Sequence, residues 1–155
     1  MNSTAIGDKY EESILSHFAA LKGGGDMLIE YCRRSYRHRV VEPDDFQHKR
    51  KILGGRSGRI IQTDVSFSFH SPIQASGLLV VVECKNYSND ISVSQMGKFA
   101  YDMLDIRARP EFENAVGVMV TTLGYQEGAK RIAIAEDIAI AVHGGSEDGA
   151  LMCLL

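Results

Sequence analysis

Residues 78–87 read Leu78-Leu79-Val80-Val81-Val82-Glu83-Cys84-Lys85-Asn86-Tyr87. This continuous aliphatic run, too short for an ordinary helix, suits a central strand buried on both faces. Side chains alternate along a strand, so Glu83 and Lys85 leave one face and Cys84 the other. Charged groups closing an apolar strand are costly to bury unless they are paired or bound to something. The same pair is equally what a strand emerging into solvent shows as its first polar residues.

Working outward, a loop-like stretch at 70–77 (HSPIQASG) precedes the strand. Before it, FQHKRKIL (46–53) and RIIQTDVSFSF (59–69) flank the turn GGRSG and read as a β-hairpin. Asp64 interrupts the second hairpin strand between Ile60-Ile61 and Val65-Phe67, where aspartate has poor strand propensity. If this strand and 78–85 are antiparallel neighbours, Asp64 and Glu83 converge at one end of the sheet. Their oxygens then suit a single hard cation such as Mg²⁺.

The remaining elements alternate. Residues 4–21 carry Tyr10, Ile14, Phe18 and Leu21 at helical spacing before Gly23-Gly24-Gly25, and 26–37 suggests a second, shorter helix. Val93, Met96, Phe99, Ala100, Met103, Leu104 and Ile106 predict a core-packing helix over 92–108, which Arg109-Pro110 ends. A strand over 115–122 (AVGVMVTT), a helix through 124–136 and a strand over 138–142 (IAIAV) follow. The order αββ(β)αβαβ predicts an α/β protein with one mixed sheet flanked by helices. With no repeat or linker and 155 residues, 45% of them apolar, residues 1–155 are expected to form a single domain. The end of the chain, LMCLL after a Gly/Asp/Ser-rich stretch, reads as an edge strand, a dimer contact or poorly ordered residues.

Composition narrows the function. No apolar run approaches the roughly 20 residues needed to cross a bilayer, and the first residues do not resemble a secretory signal, so a cytoplasmic location is expected. Cys32, Cys84 and Cys153 are far apart and unlike a disulfide or zinc framework. The histidines, His17, His38, His48, His70 and His143, lack ligand spacing and are expected at surface or loop positions. Net charge is −3, yet residues 31–60 hold nine Lys/Arg against three Asp/Glu, a balance of +6 that leaves −9 on the rest. Arg33, Arg34, Arg37, Lys49, Arg50, Lys51, Arg56 and Arg59 in this stretch, with Tyr31, Tyr36 and Phe46 interleaved, are what contact with a phosphate backbone would use. A solvated charged face is the alternative reading.

The spacing D-(x)18-E-x-K, with the last pair ending an apolar strand, resembles the PD-(D/E)xK nuclease superfamily, and most closely the catalytic domain of Mrr-like restriction endonucleases. In that family a glycine on the first helix lies three residues ahead of an aromatic-Glu pair, as do Gly7, Tyr10 and Glu11 here. Val82-Glu83-Cys84-Lys85-Asn86-Tyr87 matches the strand motif, and Val118 to Tyr125 resembles the closing strand and its Thr-Thr-x-Gly turn. The likeness covers residues 7 to about 143. Thr63-Asp64 replaces the nominal Pro-Asp, and the basic stretch at 31–51 is longer than in a minimal member.

The resemblance implies a restriction-endonuclease-like fold with an αβββαβ core. It also implies an Mg²⁺-dependent DNA endonuclease, with Mn²⁺ as a possible substitute, no small-molecule cofactor, and a homodimer as the cutting unit. Asp64 and Glu83 would hold the metal, and Lys85 would orient water or stabilise developing charge. Helical geometry favours Glu11 over Glu12 as the assisting acid, since Glu11 flanks the Tyr10, Ile14, Phe18 stripe; an acid favoured by the helix macrodipole is the plainer reading. Gln95, Lys98 and Tyr87 are further candidates for DNA contact, with structural roles equally available. A Holliday-junction resolvase or repair nuclease shares these features, and a non-catalytic DNA-binding module on the same fold is the alternative of a different class.

Overall fold

The computed structural model describes residues 3–20, 43–69, 77–86 and 88–143, together with the backbone of 152–153. The helix expected over 26–37 lies outside them, as do Arg33, Arg34, Arg37 and Tyr87. Helix α1 (Ser3–Ala20) is followed by strands β1 (Pro43–His48), β2 (Lys51–Leu53), β3 (Ile60–Gln62), β4 (Val65–Phe69) and β5 (Leu78–Lys85). Then come α2 (Val93–Arg107), a 3₁₀ turn (Pro110–Phe112), β6 (Val116–Thr121), α3 (Glu127–Ala135), β7 (Ile138–Val142) and β8 (Met152–Cys153). No described helix is long and apolar enough to cross a membrane.

Among the described residues, six strands form one sheet in the order β1-β4-β5-β6-β7-β8. β1, β4 and β5 are antiparallel neighbours; β5, β6 and β7 run parallel, and β8 returns antiparallel at the edge. This is the mixed α/β sheet of a restriction-endonuclease-like core, with α1, β1, β4, β5, α2 and β6 in αβββαβ order. β8 makes the backbone of residues 152–153 an edge strand.

The hairpin departs from the sequence reading in one respect. Each of its two long strands is broken, β1 from β2 at Lys49-Arg50 and β3 from β4 at Thr63-Asp64, so β2 and β3 form a separate ribbon. Lys49 adopts a left-handed backbone (φ 59°), which turns the chain, while Lys49 N–H donates to Asp64 O (2.9 Å) and Thr63 N–H to Arg50 O (2.8 Å). The bend therefore leaves few backbone groups unpaired, and it places Asp64 at the corner.

The sheet has two buried faces. Ile14 and Phe18 of α1 pack with Phe67, Phe69, Val80 and Val82 on one. On the other, Met96, Met103 and Ile106 of α2 pack with Leu79, Val81, Met119, Ile140 and the ribbon's Ile52 and Ile61. The alternation along β5 follows from its two-sided burial. Gly117 in β6 lets α2 come close, since a Cβ there would lie 2.9 Å from Met103 Cγ. Helix α2 starts in a capping box: Gln95 N–H donates to Ser92 Oγ, and Ser92 N–H to Gln95 Oε1.

Candidate active site

The β4–β5 register runs from Phe69↔Leu78 to Val65↔Val82, and one further step sets Asp64 opposite Glu83. The two carboxylates meet because the hairpin bends where β4 begins. Cys84 N–H donates to Asp64 Oδ2 (2.8 Å), tying the corner to the end of β5. Lys85 Nζ lies 2.8 Å from Glu83 Oε1, as two residues apart on one strand face allow, while Cys84 turns into the opposite core.

Helix α1 brings the third acid. Tyr10, Ile14 and Phe18 are buried, and the Tyr10 hydroxyl donates to His143 O (2.9 Å), which fixes the helix against the far side of the sheet. Glu11 is thereby turned to the sheet end with its side chain 15% exposed, whereas Glu12 is exposed. The Glu11 carboxyl is near enough to Asp64 to act on its charge and lies 2.6 Å from His48 Nε2.

Burial raises Asp64 to about 6; the Glu11 charge adds to the rise, and the Cys84 N–H and Lys85 oppose it. Burial likewise raises Glu83, aided by Asp64 and opposed by Lys85. The Cys84 thiol is pushed up by burial and by the carboxylates around it, which makes it a poor nucleophile. Like charges crowded in a half-buried corner, with one lysine among them, are costly without a compensating positive charge.

Of the other candidates, Gln95 caps α2 through its amide oxygen, and most of the described basic residues are engaged. Lys49 Nζ lies 2.7 Å from Asp8 Oδ1, and Arg50 Nη1 3.9 Å from Asp45 Oδ2 with its guanidinium over Phe112. Arg59 pairs with Asp102, lies 3.6 Å from Asp105 Oδ2 and covers the Tyr101 ring. Lys51 and Arg56 are exposed on the ribbon with no carboxylate partner among the described residues.

The sequence reading missed His48 and Asp8. Expected at a surface or loop position, His48 instead ends β1 beside the corner, and ligand atoms of Asp8, Glu11 and His48 lie within 4.8 Å of one another. The available signal was strand parity: Phe46 and His48 share the α1-facing side, and His48 pairs with Val65, next to Asp64.

No family model and no curated protein matches the chain. Among solved structures, a protein of unknown function, AF1548, superposes with a TM-score of 0.51 at 14% identity, over 79% of this chain and 59% of that one. A repair endonuclease from Pyrococcus abyssi superposes with a TM-score of 0.44 at 19% identity, over 73% of this chain and 42% of that one. The match thus covers 59% and 42% of those proteins' lengths. The first likeness is one of fold. The class defined by the fold is the restriction-endonuclease-like mixed α/β sheet.

Proposed function

We propose that this protein is a divalent-metal-dependent DNA endonuclease of the Mrr type. The observation that carries the reading is the meeting of Glu11, Asp64, Glu83 and Lys85 at one bent corner of the sheet, supplied by three separate elements. Asp64 and Glu83 would hold Mg²⁺, or Mn²⁺ in its place, with Glu11 assisting directly or through water. The chemistry such an ion supplies when bound is Lewis acidity, which screens the phosphate and eases deprotonation of water.

The chain's own groups do the rest. Lys85 Nζ, held at 2.8 Å by Glu83, donates to the attacking water or to a non-bridging phosphate oxygen and stabilises negative charge as phosphorus becomes pentavalent. Cys84 N–H holds Asp64 through Oδ2 and so orients that carboxylate at the corner. His48 holds Glu11 by a 2.6 Å contact and so orients that acid. Lys51 and Arg56 on the ribbon meet the DNA backbone. Cutting both strands of a duplex needs two such corners, so the cutting unit is a homodimer, and its place is the cytoplasm.

The test incubates the protein and its Asp64→Ala variant with supercoiled plasmid and a labelled four-way junction, at low salt, with Mg²⁺, Mn²⁺ or EDTA. Metal-dependent scission lost in the variant is expected. DNA binding without scission under every metal condition would overturn the reading in favour of a binding module.

A further inference from the structure

The parallel strands β5 and β6 end side by side at Lys85 and Thr121, where Thr121 Oγ1 donates to Lys85 O (3.0 Å). Beyond the sheet, the segments 88–92 and 122–126 that follow these strands are stitched together. Ile91 N–H donates to Gly124 O and Gln126 N–H to Ile91 O, both at 2.9 Å, forming a short parallel bridge between Ile91 and Tyr125. Ile91 is fully buried, and the Tyr125 hydroxyl sits 2.7 Å from Met119 O and 2.8 Å from Ala141 O. The rim is therefore preformed.

Between these connections lies a cleft of about 610 Å³ lined by Ser88, Asn89, Asp90, Ser92, Gln95 and Gln126. That volume falls within the roughly 300–1,000 Å³ of small-ligand sites. In open α/β sheets, ligands gather outside the carboxyl ends of parallel strands, which is where this cleft opens. Ser88 is three residues beyond Lys85, a chain reach of at most roughly 11 Å, so the cleft neighbours the corner.

Its lining decides what it takes. Among the described residues its lining is hydroxyls, carboxamides and one carboxylate, a set that favours a neutral hydrogen-bonding occupant over a phosphate. Gly124 leaves room for the carboxylate: a Cβ there would come within 3.2 Å of Asp90 Oδ1. Groups of this kind exchange several directional hydrogen bonds with the edge of a nucleobase. In a paired duplex that edge is covered by the opposite base, and an unpaired nucleotide presents it.

We propose that this cleft is a nucleobase pocket receiving one unpaired base beside the scissile phosphate, and that Asp90 biases it toward guanine. Guanine presents two adjacent N–H donors, N1–H and N2–H, which a carboxylate accepts together. The proposal rests on the nuclease reading above for its substrate, and it makes the enzyme selective for DNA with unpaired positions.

The experiment compares fluorescein-labelled duplexes carrying a single unpaired A, C, G or T, and a fully paired control. Binding is read by anisotropy in EDTA and cleavage with Mg²⁺ or Mn²⁺, for the wild type, Asp90→Asn and Gln126→Ala, each checked for an unchanged melting curve. A preference for unpaired guanine of about tenfold is expected in both readouts, collapsing toward parity in Asp90→Asn. Cleavage without base preference, or a preference that both variants keep, overturns the pocket and leaves the nuclease standing. A guanine preference in binding that Asp90→Asn removes, with no cleavage at any metal, supports the pocket and overturns the nuclease. Neither preference nor cleavage overturns both.

Discussion

Asp105 and Asp64 stand at opposite ends of the β2–β3 ribbon and answer to opposite electrostatics. Asp105, on α2 and 2% exposed, accepts from Arg56 N–H (2.8 Å), Ser57 N–H (3.0 Å) and Ser57 Oγ (2.5 Å), with Arg59 alongside. Ser57's hydrogen bonds, foremost, hold its carboxyl below the usual aspartate range despite its burial. Gly54 makes the fit possible, since a Cβ there would lie 2.2 Å from Asp105 Oδ2. Asp64 receives only one backbone N–H, from Cys84; its burial, with the Glu11 charge added, outweighs that bond and Lys85, and it rises to about 6. A carboxylate whose lone pairs are filled by the chain's own donors fixes structure; one crowded beside other acids favours an external cation.

The largest effect expected from this contrast is on turnover. Asp64→Ala should lower Mg²⁺-dependent plasmid cleavage on the order of a thousandfold or more, and Lys85→Ala on the order of a hundredfold. Asp105→Asn should stay within roughly tenfold of wild type while folded, because its carboxylate serves the ribbon rather than the phosphate. A folded Asp105→Asn protein as inactive as Asp64→Ala would erase the distinction.

Stability should divide the same way. The folded pKa of Asp105 is depressed, so its contribution is present above the unfolded aspartate value and lost as pH falls below about 4. Asp105→Asn should therefore melt several degrees lower at pH 7, with the gap narrowing near pH 3. Asp64 is the reverse case. Its folded pKa is raised, so in metal-free protein its ionisation weakens the fold as pH climbs from about 4 through about 6. Asp64→Asn should raise the melting temperature in EDTA at pH 7.5, at about 2–4 °C per kcal/mol for a chain of this size. Mg²⁺ should stabilise the wild type more at pH 7.5 than at pH 5, and leave Asp64→Asn unmoved. Thermal melts across pH, with and without metal, check all of these.

This contrast also marks what the sequence could reveal. The apolar run at 78–82 and the helical spacing of Met96, Phe99, Met103 and Ile106 are strong periodic signals, and the central strand and α2 lie where those signals put them. Asp64 opposite Glu83 followed from antiparallel pairing and side-chain alternation. The break at Lys49-Arg50 was illegible because a left-handed lysine leaves no composition cue of the kind a glycine gives. His48 against Glu11 and Asp105 against Ser57 join residues 37 and 48 positions apart through tertiary packing, which no local pattern encodes. Net charge along residues 31–60 could not distinguish a cation held by Asp8 or Asp102 from one left to a ligand.

That last distinction supplies the smallest and most discriminating effect. A cation already paired within the fold has few counterions to displace from DNA, whereas a free one releases about one condensed ion per phosphate it meets. In an Asp64→Ala background, which removes cleavage from the measurement, Lys51→Ala or Arg56→Ala should weaken duplex binding a few-fold at low salt. Each should also reduce the slope of log K against log salt by about one between 50 and 200 mM. Arg59→Ala should leave that slope nearly unchanged and instead loosen the ribbon, because its guanidinium is committed to Asp102, Asp105 and the face of Tyr101. Anisotropy titrations at several salt concentrations separate the two. If Arg59 lowers the slope as much as Arg56 does, its ion pairs open to admit DNA, and the ribbon as a whole, rather than its unpaired cations, is the contact surface.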